Sequence, residues 1–569
     1  MQILMKAQPD PTPQIPTTAH ILRHHFFRRF FDNDTLSLEA ETETTVIRAL
    51  AAFAVPALMV AFWLLPRYPG RPIWAVAADR YFFVLYSFVA MGVVTTFEWE
   101  MLFPDRADFL ILLPMPLKAR ELFNAKGLAL LSFLGMFLIS ANLFALILFP
   151  AVSTRSNGSY LHSVSAHLAA VSLSGIFAAF TMLAIEGLFL CLLPARWFRQ
   201  ISTMTQSLSV TVLLLLFLLF PLFASHMQTL LDGQAAFTRF IPPLWFLGLY
   251  ERLSLGASAP AGAASLAVIG LYATAISTTL ALLLYPLAWS RQKRTAIEGA
   301  LQVRVPQRNP LHAFLHRTLL ARPQQRGVFH FLRQTLSRNI HYQVYLALYA
   351  GVGLALAICS IITLRVSAGT LRLIFWKPGL HAVLPLLLFW LVSGLRAAFA
   401  FPIDMRSRWV FPINLPFPGR DAKAAKLFVV LSCITLTCTV LILLMALRWS
   451  PTELLVQTVC GTGLSLILAD LFFVGRTRIP FTSPRLPGRA NLPILFVLYA
   501  ALFPVLVLCT VNLELATEAN LAILLRILPG IAVAHLLLIG ADRFYQQDSP
   551  DGFFEEELDE GPQTLDLSR

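Results

Sequence analysis

Along most of its length the chain alternates between apolar runs of membrane-crossing length and short segments in which Lys, Arg and Pro collect. A transmembrane helix needs roughly 20 mostly apolar residues, and reading for such runs between charges predicts about twelve helices. In the first half they lie near Thr45 to Leu65, Tyr81 to Phe97, Gly127 to Phe149, Ser165 to Leu192, Leu208 to Ala224 and Ala264 to Trp289. In the second half they lie near Tyr345 to Leu364, Ala382 to Ala400, Leu427 to Leu447, Leu454 to Phe473, Leu492 to Val511 and Leu521 to Gly540. Strands of a membrane β-barrel would instead give alternating runs of only about 10 residues with polar lumen positions. The expected fold is an all-α polytopic membrane protein, with its twelve or so spans arranged as two six-helix halves.

Composition strengthens this reading. Of 569 residues, 57% are hydrophobic and 13% charged, against about a quarter charged in soluble domains, and the mean hydropathy is +0.69. The six cysteines, Cys191, Cys359, Cys433, Cys438, Cys460 and Cys509, all fall in apolar runs with no metal spacing, as small packing residues do. The segmentation that follows is a basic, interfacial amino-terminal segment over 1–44, a first half over 45–290 and a basic linker over 291–340. A second half covers 341–542 and an acidic, disordered tail 543–569. The segment up to Thr44 has no apolar core of the kind a secretory signal requires.

The formal net charge of +13 sits in short connections beside the spans, where it sets orientation and contacts anionic lipid. No groove-binding motif accompanies it, so no nucleic-acid partner is expected. Because Lys and Arg collect in alternate connections, above all between Arg291 and Arg338, both termini are expected on the cytoplasmic side. Two stretches mix aromatic and basic residues just ahead of a half, His20 to Phe31 and Val328 to Arg338. Each suits a helix lying in the bilayer interface.

One phrase occurs twice. Leu113-Pro114-Met115-Pro116 is followed by Lys118, Arg120 and Ala125-Lys126; Leu415-Pro416-Phe417-Pro418 is followed by Arg420, Lys423 and Ala425-Lys426. Phe103-Pro104 and Phe401-Pro402 stand upstream. Two closely spaced prolines fix φ and disfavour helix before each, predicting a stiff extended elbow that leads through a short basic segment into a span. Such an elbow transmits a push from a cytoplasmic partner, or it simply anchors at anionic headgroups. Its recurrence suggests duplication.

Ionisable residues inside spans are expensive enough to mark function by default. Glu98, Glu186, Arg396 and Asp470 are the candidates. Glu186 and Asp470 take matching places near the ends of the fourth and tenth spans, each ahead of a basic exit, and two readings stay open for them. One is a polar pathway or proton relay, the other snorkelling or pairing with loop cations. Arg396 snorkels or marks specialisation of one half.

The stretch from Phe103 through Asp108, Leu112 to Pro116 and Arg120 to Lys126 resembles the loop between spans two and three of bacterial type-2 ABC exporter permeases. Ile241-Pro242-Pro243-Leu244-Trp245-Phe246 resembles that family's proline-aromatic segment between spans five and six. The second half departs from the pattern, with Arg406-Ser407-Arg408-Trp409 in place of the aspartate-bearing stretch and no Pro-Pro-Trp counterpart. The resemblance implies a fused, double-length permease in the bacterial cytoplasmic membrane. Its coupling residues would be Pro114, Pro116, Lys118, Arg120, Lys126, Pro416, Pro418, Arg420, Lys423 and Lys426, seated on a separate ABC ATPase present in two copies.

The chain carries no G-x-x-x-x-G-K-[ST] phosphate loop, H-E-x-x-H or G-x-S-x-G, so it is not expected to be an enzyme or to bind a cofactor or metal. Two rivals remain. A major-facilitator-type secondary transporter also has six plus six spans, but neither elbow fits its G-x-x-x-D-[RK]-x-G-[RK]-[RK] loop. The other is a membrane scaffold that moves no substrate. The sequence does not name the substrate.

Overall fold

The computed structural model describes residues 18–30, 42–103, 106–112, 114–153, 159–232, 236–298, 322–367, 370–399, 423–474, 480–481 and 492–547. Within them are twelve helices long and apolar enough to cross a membrane. The first six are Val46–Tyr68, Ile73–Phe97, Ala119–Ser153, Tyr160–Leu192, Gln200–Leu218 and Ala263–Arg294. The others are Tyr342–Ile361, Lys377–Phe399, Lys423–Ala446, Pro451–Phe473, Ala501–Ala519 and Leu521–Phe544. Each expected apolar run has its helix, and the protein is an all-α polytopic membrane fold. The acidic tail beyond Gln547 and the linker over 299–321 lie outside the described residues.

Several boundaries differ from expectation by up to nine residues, the eleventh span running over Ala501–Ala519, and two of the differences have local reasons. The fifth span stops at Leu218 although apolar residues continue, because the chain turns at Leu219 into a short helix, Phe220–Ala224. Pro221 in that helix has no amide hydrogen to extend the ladder. After the seventh span comes a two-stranded sheet, β1 over Ile362–Ser367 and β2 over Thr370–Phe375. Its β-branched residues alternate with polar ones, Ile362 with Thr363 and Val366 with Ser367, the period of a strand.

By contacts the chain divides into two compact units. One comprises 1–202, 220–302 and 368–371; the other comprises 203–219, 303–367 and 372–569. This partition differs from a simple break near 290, because most of the fifth span counts with the second unit. There Ser207 Oγ donates to the Ala347 carbonyl of the seventh span at 3.2 Å.

In the first unit the second span is the centre. It is 78% buried, packed by the third and fourth spans and by a helix over Pro242–Leu255. The crossing is close because Gly175 of the fourth span has no side chain: a Cβ there would sit 2.6 Å from Leu138 Cδ1 and 2.9 Å from Met91 Cγ. The Pro242–Leu255 helix opens with Pro242 and Pro243, which suit a first turn that needs no amide donors. Gly248 then seats it on the sixth span, where a Cβ would lie 2.7 Å from the Ala263 carbonyl oxygen.

The second unit is built around the eighth span, 67% buried and packed by the seventh, ninth, tenth and eleventh. The twelfth span packs on the tenth and is only 6% buried. Val533, Leu536, Leu537 and Phe544 on it are exposed, as suits a face turned to lipid.

Both aromatic-basic stretches form helices. Thr18–Arg29 buries Leu22 and Phe26 and packs along the third span. Pro323–Arg338 buries Val328, Phe329, Leu332 and Leu336 and packs against the ninth. In each the apolar positions recur three to four residues apart, so one face is apolar and the other carries exposed cations such as Arg28 or Arg333.

Candidate functional site

The elbow of the first unit interrupts the helices as its prolines dictate, but as a tight turn and not an extended segment, the Met115 amide donating to the Leu112 carbonyl at 3.3 Å. A short helix over Arg106–Leu112 ends before it, Pro114, Met115 and Pro116 are exposed, and the third span starts at Ala119. Lys118 and Arg120 are exposed beside it. No flexible joint separates elbow and membrane helix, since Ala119–Ser153 is one continuous helix. Asp108 of the preceding short helix is buried and ion-paired with Arg29 of the amino-terminal helix.

Lys126 differs from the role that the family resemblance implies for it. It is 1% exposed, with its ammonium 5.0 Å from the Phe26 ring centroid and 5.1 Å from that of Phe30. Phe30 in turn stacks on Phe133 of the third span. Lys126 thus faces inward and ties the interfacial helix to the third span by a desolvated cation–π contact. The surface open to a partner is Pro114 to Arg120.

The second elbow, with Pro416, Pro418 and Arg420, lies outside the described residues. Lys423 is exposed at the start of the ninth span. Lys426 pairs with Asp470 of the tenth span, and His535 of the twelfth contacts the same carboxylate. Of the two readings open for Asp470, pairing with a cation is the observed one. Glu186 is 3% exposed on the fourth span, next to Gly187, which packs against Phe103 and Leu284. Glu98 is 2% exposed at the end of the second span. Its neighbour Trp99 donates its indole N–H to Ser202 Oγ at 2.8 Å. Arg396 lies 5.4 Å from the Phe472 ring and 5.8 Å from that of Tyr499, held by aromatic faces.

All these groups sit at the basic pole of their unit. A second set, absent from the sequence reading, occupies the opposite pole. In the first unit Arg80 pairs with Glu251 at 2.9 Å, with 12% and 3% of their side chains exposed. The Arg80 guanidinium also lies 5.0 Å from the Tyr250 ring, and the Tyr250 hydroxyl is 3.1 Å from His167 Nδ1 on the fourth span. Arg71 and Tyr68 both hydrogen-bond Asp79. The hydrogen bond to Asp79 raises the Arg71 pKa, and burial pushes the Tyr250 phenol up while Arg80 opposes it. In the second unit the corresponding pole carries His381, Gln457 and Glu514, all buried, and an exposed Lys377–Glu453 pair at 3.2 Å.

These residues escaped notice because none breaks an apolar run conspicuously. Asp79 and Arg80 precede Tyr81, where the second run was expected to begin, and Glu514 and Glu518 follow Val511, where the eleventh was expected to end. The available signal for these four was a position just beyond a run; His167 and Gln457 lie inside the fourth and tenth runs, each a polar residue among mostly apolar ones.

Among the described residues no group of three or more His, Cys, Asp or Glu is arranged to hold a metal ion. No protein-family model matches this chain, and neither a curated protein nor a solved structure is found to be similar to it.

Proposed function

We propose that this chain is the membrane subunit of an ATP-driven exporter of the type-2 ABC kind, a multi-pass protein of the bacterial cytoplasmic membrane with both basic poles and both termini in the cytoplasm. The observation that carries the reading is the first elbow. Its exposed residues, Pro114, Met115, Pro116, Lys118 and Arg120, lead without a hinge into the 35-residue helix Ala119–Ser153. Movement imposed on the elbow by a nucleotide-binding partner therefore becomes movement of the whole helix. That helix packs on the second and fourth spans, the centre of its unit.

The recurrence of the elbow phrase supports a duplicated chain with two such inputs. So does the seating of an amphipathic helix on the third and on the ninth span. Arg120 is exposed, so its charge reversal leaves the fold alone and tests docking directly. Arg120→Glu, alone and with Arg420→Glu, is expected to lower co-purification of an ATPase at least several-fold while membrane insertion is kept. Undiminished association in the double variant would remove the coupling role.

One observation favours a second reading. Lys426, Asp470 and His535 form a titratable linkage across three helices of the second unit, the kind of chain that serves proton relays in secondary transporters. Substrate flux driven by a pH gradient alone, in proteoliposomes that contain no ATPase, would replace the first reading with this one.

A further inference from the structure

At the pole opposite Lys426 the second unit holds a group whose charges do not balance. Glu514 and Glu518 stand one turn apart on the eleventh span, on the same helical face. His381, just before the helical core of the eighth span, reaches both through one nitrogen: Nδ1 lies 3.3 Å from Glu514 Oε2 and 3.6 Å from Glu518 Oε1. Glu514 Oε2 also accepts from Gln457 Nε2 of the tenth span at 2.6 Å. Gln457 and Glu514 are both fully buried, and His381 is 5% exposed.

Glu514 Oε1, Glu518 Oε1 and Gln457 Oε1 are buried and accept no hydrogen bond from any described residue, Glu518 Oε1 having only the 3.6 Å approach of His381 Nδ1. Three buried acceptors therefore face a site whose donors are already committed.

Among the described residues the surroundings supply one further cation, and it is already paired. From the segment that opens the eighth span comes Lys377, but it pairs with Glu453. From the end of the ninth comes Trp449, whose ring centroid is 4.8 Å from that of His381. The tenth contributes Gln457 and the thiol of Cys460, which lies within electrostatic reach of both carboxylates. The seventh contributes Ser360, which donates to the Gly379 carbonyl at 3.1 Å. Arg526, at the start of the twelfth, is exposed.

A protonated His381 imidazole balances the charge of one carboxylate. The other would be an uncompensated anion in a site largely shielded from water, which is unfavourable. A proton on that carboxyl removes the cost, and its O–H has buried acceptors to point at.

We propose that His381, Glu514 and Glu518 form a proton-binding site, in which the two carboxylates share one exchangeable proton beside the imidazole. The bond change is minimal: an O–H of the carboxyl pair breaks and the proton leaves to water by way of Glu518, whose side chain is 20% exposed. Because both carboxylates face the same Nδ1, the proton belongs to the pair, and its loss is a macroscopic property of the pair and not of either residue alone. The site does not depend on ATP coupling, and its test reads no transport.

Infrared difference spectra of the full chain in lipid nanodiscs, recorded as pH is raised, test this directly. The wild type is expected to show a protonated-carboxyl C=O band that persists above the range of ordinary glutamates, about pH 4–5, and then disappears. In Glu514→Gln the remaining Glu518 has His381 to itself, so the band is lost at neutral pH. Glu518→Gln gives the same loss and serves if the first variant does not assemble, since Gln mimics the protonated carboxyl in shape. Absence of such a band in the wild type above pH 6, or a band untouched by either substitution, would overturn the proposal. So would a band that sodium chloride removes at fixed pH when potassium chloride does not, because the oxygens would then hold a metal cation.

Discussion

The Arg80–Glu251 pair should behave as a lock that tolerates complete replacement better than half removal. Its charges approach to 2.9 Å with 12% and 3% of the side chains exposed, so at an effective dielectric of about 20 the gross attraction is about 6 kcal/mol. Desolvation offsets much of that, and the net worth of the intact pair against apolar residues is near zero. Removing one partner is different, because the other stays behind as an uncompensated buried charge, at about 3–5 kcal/mol. Arg80 also loses its place over the Tyr250 ring, 5.0 Å away, worth about 1–2 kcal/mol in a desolvated setting. Arg80→Met and Glu251→Leu are each expected to destabilise by about 3–5 kcal/mol. The double variant should return to within about 1–2 kcal/mol of the wild type, a strong negative departure from additivity. Equilibrium unfolding in mixed detergent micelles reads all four corners of the cycle. Single variants within about 1 kcal/mol of wild type, or a double variant equal to the sum of the singles, would refute the assignment of a desolvated lock.

Two further outcomes follow from local geometry. Arg448 ends the ninth span with φ 59°, and the Trp449 amide then donates back to the Leu444 carbonyl at 3.2 Å. Glycine occupies that left-handed position without strain, so Arg448→Gly should stabilise by about 0.5–1 kcal/mol; a loss of thermal stability would contradict this. Burial holds the Tyr250 phenol above its usual range, so above about pH 10, where unfolded tyrosine ionises, the unfolded state releases a proton that the folded state keeps. Stability contributed by Tyr250 is therefore complete below that pH and falls as pH rises toward the folded value. Tyr250→Phe should flatten the alkaline arm of the stability profile, and an unchanged arm would show that Tyr250 is not shielded.

The spans were legible because a membrane imposes length and apolarity on every crossing helix, and these are properties of consecutive residues. All twelve runs named from the sequence have their helix, and the two amphipathic segments were legible for the same reason. What the sequence did not reveal was the pairing of residues far apart in the chain. Arg80 meets Glu251 and His381 meets Glu514 only through packing of separate helices, and nothing in the local pattern ties one to the other. Lys126 shows the converse difficulty. Its place in a basic phrase suggested a surface residue, yet at the start of the third span it falls on the face that receives Phe26 and Phe30. The hairpin was missed because Ile362 to Leu364 continue an apolar run, and three apolar or β-branched residues fit a strand and a helix end equally well.

The opposite poles of the two units close by different chemistry, and the difference has a direction. In the first unit the buried carboxylate of Glu251 meets an arginine, whose charge no accessible pH removes. In the second the cation is His381, an imidazole that can lose its charge where an arginine cannot, and it faces two carboxylates. The Arg80–Glu251 pair persists as long as Glu251 is ionised, whereas Glu514 and Glu518 repel each other once the proton they share leaves. The helices so released are the eleventh, which carries both carboxylates, and the tenth, which reaches them through Gln457. The tenth also carries Asp470 at its other end, bound to Lys426 of the ninth and to His535 of the twelfth. A shift of the tenth helix would therefore be felt at both poles of the second unit. Loss of the proton at one end should loosen the Lys426–Asp470 pair at the other, whereas the Arg80–Glu251 pole of the first unit has no such sensitivity.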